Sequence, residues 1–449
     1  MPRSRVAHWM VWMLERSLSR WARELGATLH QVESAMPRRV MMNSVDCGPG
    51  DLFVALRGGQ RDGHDFIDDA RARGAWVMGE RADCDLQVSD SLVALTKMAA
   101  IHRRELKWVV AITGSMGKTT TRRLVQAAFN ACMPKPTLAT QGNYNNHLGV
   151  PLTLIRATRE SQAVLELGAN HQGEIDQLAG LVRPNVAAIT LAGPAHLDGF
   201  GGLAGVVKGK GEILDHIEPG GIAVLNRDDS AYGIWAARAD ACNQLSFGLD
   251  VASDVRGVRD GDGWLVEHQG RRLGLVLALE GDHQITNALC ALAICVASGL
   301  ALDDSIQAMS EVQPEAGRGQ YLRLSTGATL IDDSYNANPQ AMRAAIAQLL
   351  SQSPKGIAVL GSMYELGQSA DQLHRELGAY CRTIGVQTLV TTDPRIAQGF
   401  GADAQEFADT GAVAGWIEAH TGAGDWLLVK GSRGARMERC FSDFIQGEK

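Results

Sequence analysis

Short apolar runs recur along this chain, separated by longer stretches in which apolar residues return every three or four positions. The runs at 108–112, 163–167, 186–191 and 222–225 are apolar at nearly every position, which predicts strands buried on both faces. A second set at 329–332, 357–360, 388–391 and 426–429 repeats the pattern. The helical spacing between the runs predicts mostly parallel, helix-covered sheets, an α/β fold. Nearer the start, 51–56 and 75–78 predict two strands, with a helix over 65–73 entered by the turn Asp62, Gly63, His64. His64 and Asp65 read there as a turn and a helix cap. Met10, Leu14, Leu18, Trp21 and Leu25 share one helical face and predict an opening amphipathic helix. Residues 281–300 open on a polar turn and continue as a strongly apolar helix. His283 and Asn287 at its start either cap it or touch a ligand.

At 449 residues the chain is long enough for about three domains, expected at 1–105, 106–312 and 313–449. A net charge of −7 with no basic block excludes a general nucleic-acid binder. The eight cysteines form no CxxC pair, so reduced thiols are expected and not a disulfide framework or zinc site. Arg3 and Arg5 before an apolar run imitate a signal peptide. However, His8 interrupts the run, no small-residue cleavage site follows, and Glu15 and Arg16 come directly after. No run approaches the ~18 apolar residues that span a bilayer. A cytoplasmic location is expected, with a membrane-surface role for the Trp-rich opening helix as the alternative.

The chemistry gathers where strands end. After the run at 108–112 comes Thr113, Gly114, Ser115, Met116, Gly117, Lys118, Thr119, with a helix-compatible segment from Lys118 onward. Backbone N–H groups of such a loop, with the positive end of the helix, wrap a polyphosphate. Lys118 would reach the outer phosphates and the Thr119 hydroxyl a magnesium ion. The general phosphate-loop pattern needs Gly at position 112, where this chain has Ile112, so the loop is a shorter variant. Three further polar sets follow strands: an amide-rich loop with Asn143, Asn145 and Asn146; Glu166; and His196. A carboxylate amid Val164, Leu165 and Leu167 is costly unless paired or bound to a metal. Lys208, Lys210 and Glu212 read, on spacing alone, as a solvated helix face. Polar loops at 332–339, 361–367 and 430–438 mark a second ligand-facing edge, and Arg318 lies in the segment leading to it.

Taken together these motifs resemble the Mur ligases, the ATP-dependent amide-forming enzymes of peptidoglycan precursor synthesis. The stretches that carry the resemblance occur in the family's order over nearly the whole chain. They include DLFVALRGGQRDGHDF, AITGSMGKTTT, TQGNYNNHLGVPLTL, ELGANHQGEI, GPAHLDGFGGLAGVVKGKGEI, IDDSYNANPQAM, GSMYELG and VKGSRGARME. The resemblance implies an N-terminal domain for a UDP-sugar peptide, a central ATPase domain and a C-terminal Rossmann-like domain. It implies that ATP phosphorylates the carboxylate of a UDP-linked muramoyl tripeptide, and that D-alanyl-D-alanine attacks the acyl phosphate. It also implies magnesium held by Thr119, Glu166 and His196, and a carbamylated lysine at Lys210, fourteen residues after His196. Asn287, Arg318 and Asp332 would face adenine and ribose, and Tyr335, Asn336 and Asn338 the nucleotide side of the C-terminal domain. Ser44, Asn143 and Asn146 would meet the sugar-peptide, and Lys430, Ser432 and Arg433 the incoming dipeptide. The partners implied are small molecules, and a monomer is expected.

Four positions, in three motifs, depart from the family's pattern. Its Asp-Ser-Arg reads Asn43, Ser44, Val45; its His-Asn pair reads His283, Gln284; and Ser362 replaces a usual Asp. Two other readings therefore stand beside the first. One is a related ligase that adds a single amino acid; the other is a nucleotide-binding paralogue without ligase activity.

Overall fold

The computed structural model describes residues 16–30, 35–58, 61–158, 160–194, 196–279 and 281–445. The opening helix is Leu18–Leu25; Ser17 caps it, and Gly26, left-handed at φ 68°, ends it. Leu18, Trp21, Ala22 and Leu25 are its buried face, while the expected positions Met10 and Leu14 lie outside the described residues. Among the described residues no helix is long and apolar enough to cross a membrane.

Three sheets carry the chain. The first has five short strands, with Leu52–Val54 and Trp76–Gly79 at its centre. The expected helix between them begins as a 3-10 turn, Gly63–Phe66, before Ile67–Ala72 becomes α-helical. The cap is Asp62, whose carboxylate accepts the His64 N–H at 2.9 Å. His64 itself is buried, and its Nε2 accepts the Glu80 N–H at 3.1 Å.

The second sheet has nine strands, and Trp108–Thr113 sits inside it. On one side lie Gln162–Glu166 and Thr137–Ala139; on the other lie Val186–Ile189, Ile222–Asn226 and Asn243–Gly248. From Trp108–Thr113 the chain goes first to the edge strand Thr137–Ala139, returns to Gln162–Glu166 and then crosses to Val186–Ile189 on the other side, which leaves a crevice at the carboxyl end of Trp108–Thr113. Val109 and Ala111 pack into one buried cluster, Val110 and Ile112 into another. That is the alternation of a strand covered on both faces. Helices Lys118–Cys132 and Asp282–Ala297 pack together on the second of these faces. Strands Val255–Asp260, Gly263–His268 and Arg271–Leu275 add an antiparallel edge that the apolar pattern does not announce.

The third sheet has six strands, including Thr329–Asp333, Trp426–Lys430, Ile357–Leu360 and Thr388–Thr391, all parallel. Gln320–Arg323 pairs antiparallel at its edge. All eight cysteines are free thiols.

Candidate functional site

A cavity of about 840 Å³ opens where the carboxyl ends of the second and third sheets face one another. Its floor is the loop between Trp108–Thr113 and Lys118–Cys132. Gly114 (φ 144°) and Gly117 (φ 80°) adopt backbone angles that L side chains rarely take. Space forbids a side chain there as well. A Cβ on Gly114 would lie 1.9 Å from Thr190 Oγ1, and one on Gly117 would lie 2.2 Å from Asn287 Oδ1. The Thr190 hydroxyl donates to the Met116 carbonyl at 2.5 Å, and Ser115 Oγ accepts the Gly193 N–H at 3.0 Å. The loop is therefore shaped before any ligand arrives. Thr113 and Gly114 do not line the cavity, whereas Ser115, Met116, Gly117, Lys118 and Thr119 do. The Thr113 hydroxyl instead donates to the Leu167 carbonyl at 2.8 Å and ties two strands together.

Lys118 Nζ donates to the Gly114 carbonyl at 2.7 Å. Burial lowers its pKa, and Glu166 opposes that shift. Glu166 is buried at the end of its strand, and its oxygens are both engaged. Oε2 accepts the Thr119 hydroxyl at 2.9 Å, Oε1 accepts Asn145 Nδ2 at 2.8 Å, and its own N–H donates to Thr140 Oγ1 at 2.9 Å. Asn145 and Thr140 thus belong to the site. Both stood in the amide-rich loop of the sequence, but nothing in spacing singled them out from Asn143 and Asn146. Those two line the cavity, and Asn146 Oδ1 also accepts the Gly149 N–H at 2.9 Å.

No cluster of three His, Cys, Asp or Glu side chains suited to a metal occurs among the described residues. A hard hydroxyl and carboxylate beside a phosphate loop are nonetheless the donor set magnesium takes when phosphates and water complete its shell. Thr119 and Glu166 fit that ion. His196 lines the same cavity but turns Nδ1 toward Glu365 of the third unit. Lys210 is not on the cavity wall. It is 2% exposed, its Nζ lies 4.9 Å from the Phe200 ring centre, and it donates to the Ala169 carbonyl at 3.2 Å. Burial, reinforced by Lys118, pushes its pKa down to about 7.

Facing this floor are Arg318, Tyr335, Asn336, Asn338 and Lys430, with Asn287 beside Gly117. The Arg318 guanidinium sits 4.0 Å over the Tyr335 ring. Asn338 Oδ1 caps the helix Pro339–Gln352. Asp332 does not line the cavity. Its carboxylate accepts the Gly317 N–H at 2.9 Å and the Ser334 hydroxyl at 2.6 Å, so it braces the loop that carries Arg318. Its neighbour Asp333 lines the cavity instead and pairs with Lys430 at 2.7 Å. Ser432 and Arg433 lie in a smaller adjoining cavity of about 120 Å³, also lined by His196. Ser44 is buried in a 3-10 turn of the first unit, outside both cavities, with Val45 exposed beside it.

Comparison with known proteins gives one answer along the chain. Residues 38–106 match the Mur ligase family catalytic domain, 112–295 the Mur ligase middle domain, and 317–433 the Mur ligase glutamate ligase domain. The chain is 35% identical over 410 residues to UDP-N-acetylmuramoyl-tripeptide–D-alanyl-D-alanine ligase of Escherichia coli K12, covering 87% of this chain and 90% of that one. It is 28% identical over 461 residues to the ligase of the same name from Bacillus subtilis 168, covering 97% and 99%. A crystal structure of MurF from Acinetobacter baumannii superposes with a TM-score of 0.88 at 31% identity, covering 96% of this chain and 99% of that one. That of the Thermotoga maritima MurF ligase in complex with ADP gives 0.78 at 29%, covering 90% and 96%.

Proposed function

The chain belongs to the Mur ligase family, and from that premise we infer its reaction: ATP-dependent joining of D-alanyl-D-alanine to a UDP-N-acetylmuramoyl tripeptide. The observation that carries this is the cavity of about 840 Å³ whose floor is a phosphate loop and whose roof is the ligand-facing edge of another sheet. Residues 1–105, 106–312 and 313–449 are read as the units for the UDP-substrate, for ATP and for the dipeptide.

The chemistry begins with two anions, the tripeptide carboxylate and the γ-phosphate, that must meet. Their repulsion is offset by cations fixed in advance. Lys118, held over the loop by Gly114, supplies one. Thr119 and Glu166 would hold one magnesium ion, and His196 and Lys210 would serve a second, which would offset the charge of the phosphate oxygens. A carboxylate oxygen takes the γ-phosphoryl group and ADP leaves. The neutral amine of the dipeptide then attacks the acyl phosphate carbon, phosphate leaves, and the nitrogen gives up a proton as the amide forms. Arg318 and Asn287 flank the nucleotide, and Lys430, Ser432 and Arg433 surround the incoming dipeptide.

Lys210 would serve the second ion as a carbamate, formed when its neutral amine adds CO2 and releases a proton. Burial supports this by holding the ammonium near 7, where the neutral amine is populated at physiological pH. Lys210→Ala should lose most activity and regain part of it with a short-chain carboxylic acid. Full activity without rescue would make the lysine only structural. Lys118→Ala should lower turnover by at least about a hundredfold; near-normal ADP release would remove the phosphate-loop assignment.

A further inference from the structure

We propose that Glu365 is a positioning residue that fixes the imidazole of His196 from across the cleft. His196 stands at φ 54°, just before the short helix Leu197–Phe200. Its Nδ1 is buried, meets the Glu365 carboxylate, and has no hydrogen-bond partner besides among the described residues. Glu365 is itself at φ 62°. Non-glycine residues hold such angles only where their surroundings over-determine them.

The surroundings do so here. The Tyr364 N–H donates to Ser432 Oγ at 2.9 Å, and the Gly361 N–H to the Lys430 carbonyl at 2.8 Å. The Met363 N–H donates to Nε2 of His374 at 2.8 Å, and His374, fully buried, gives its Nδ1–H to the Ala370 carbonyl at 2.6 Å. At Gly367 a Cβ would come within 3.1 Å of the Asp198 side chain, so the loop seats closely on the segment after His196. Loop 361–367 is thus held at both ends while the Glu365 side chain, 57% exposed, keeps its contact with His196.

A carboxylate that accepts the Nδ1 proton commits a histidine to one tautomer and leaves the Nε2 lone pair free. That is the form a metal-ligating histidine takes. Because Glu365 belongs to the third unit, seating of that unit would prepare a group of the second. The ligase reading enters only through the metal.

The test starts with 15N NMR of histidines in the ligand-free full-length protein, the His196 signals being assigned by their loss in His196→Gln. Wild type should show His196 as the Nδ1–H tautomer, Glu365→Ala a mixture, and Glu365→Gln, whose amide oxygen still accepts, the wild-type form. With ADP present, the Mn2+ dissociation constant should rise about tenfold in Glu365→Ala while the KM for D-alanyl-D-alanine moves less than about twofold. An unchanged tautomer overturns the proposal. So does unchanged Mn2+ binding with a raised KM for the dipeptide, which would place Glu365 on the incoming amine. Glu365→Asp, one methylene shorter, asks the same question if Glu365→Ala does not fold. Since the NMR signal needs no turnover, it stands whether or not the ligase reading does.

Discussion

Gly117 shows most directly how a residue too small to do chemistry decides whether chemistry occurs. Its φ of 80° and the 2.2 Å approach of Asn287 Oδ1 to any added Cβ leave no relaxed place for alanine. Gly117→Ala should cost about 1–3 kcal/mol of stability and weaken ATP binding, which denaturant titration and nucleotide calorimetry would measure. A variant that binds ATP like wild type would mean that the loop accommodates the side chain. The glycines were legible in the sequence, as was Glu166, because a charge among Val164, Leu165 and Leu167 demands a partner. Lys210 was not. Its neighbourhood, VVKGKGEIL, has the spacing of a solvated face, and its burial is decided by Phe200 and Ala169, which spacing along one helix cannot reveal. Asp332 and Asp333 were also indistinguishable in sequence. Successive strand residues point to opposite faces, and only the register shows that Asp333 takes the cavity side.

Among elements, strands buried on both faces were legible and those on the open edge were not. Trp108–Thr113 and Ile357–Leu360 are continuous apolar runs between helices. Gly263–His268 and Arg271–Leu275 carry charge and face solvent, so no apolar run marks them. The helix Ser91–Arg103 supplies a test at this scale. Its His102 is fully buried and stacks on Trp21 of the opening helix, with ring centres 5.8 Å apart. Burial, with Arg16 nearby, lowers its pKa to about 4. The unfolded chain takes up this proton near pH 6.5, whereas the folded protein resists it until about pH 4. Stability contributed here is therefore complete above pH 6.5 and lost as the pH falls toward 4, by up to about 3 kcal/mol. Denaturation at stepped pH should show that slope, and His102→Phe should flatten it. An unaltered slope would assign the acid sensitivity to other groups.

At the scale of the whole molecule, the sheets meet so that the phosphate loop faces Lys430, Asn336 and Arg318 across one cavity. Neither sheet alone presents both a phosphate cradle and an opposing wall, and a reaction joining a phosphorylated carboxylate to an amine needs both. Sequence order announced the two edges but not their opposition, which depends on how separate sheets pack. The departures at Asn43 and Val45 lie in the first unit, outside both cavities. The most direct measurement is phosphate release by the purified protein with ATP, magnesium and UDP-linked muramoyl tripeptide, with and without D-alanyl-D-alanine. Release that depends on the dipeptide, with a pentapeptide product by mass, is the predicted result. ATP binding without release, whichever amino acid or dipeptide is supplied, would contradict the account.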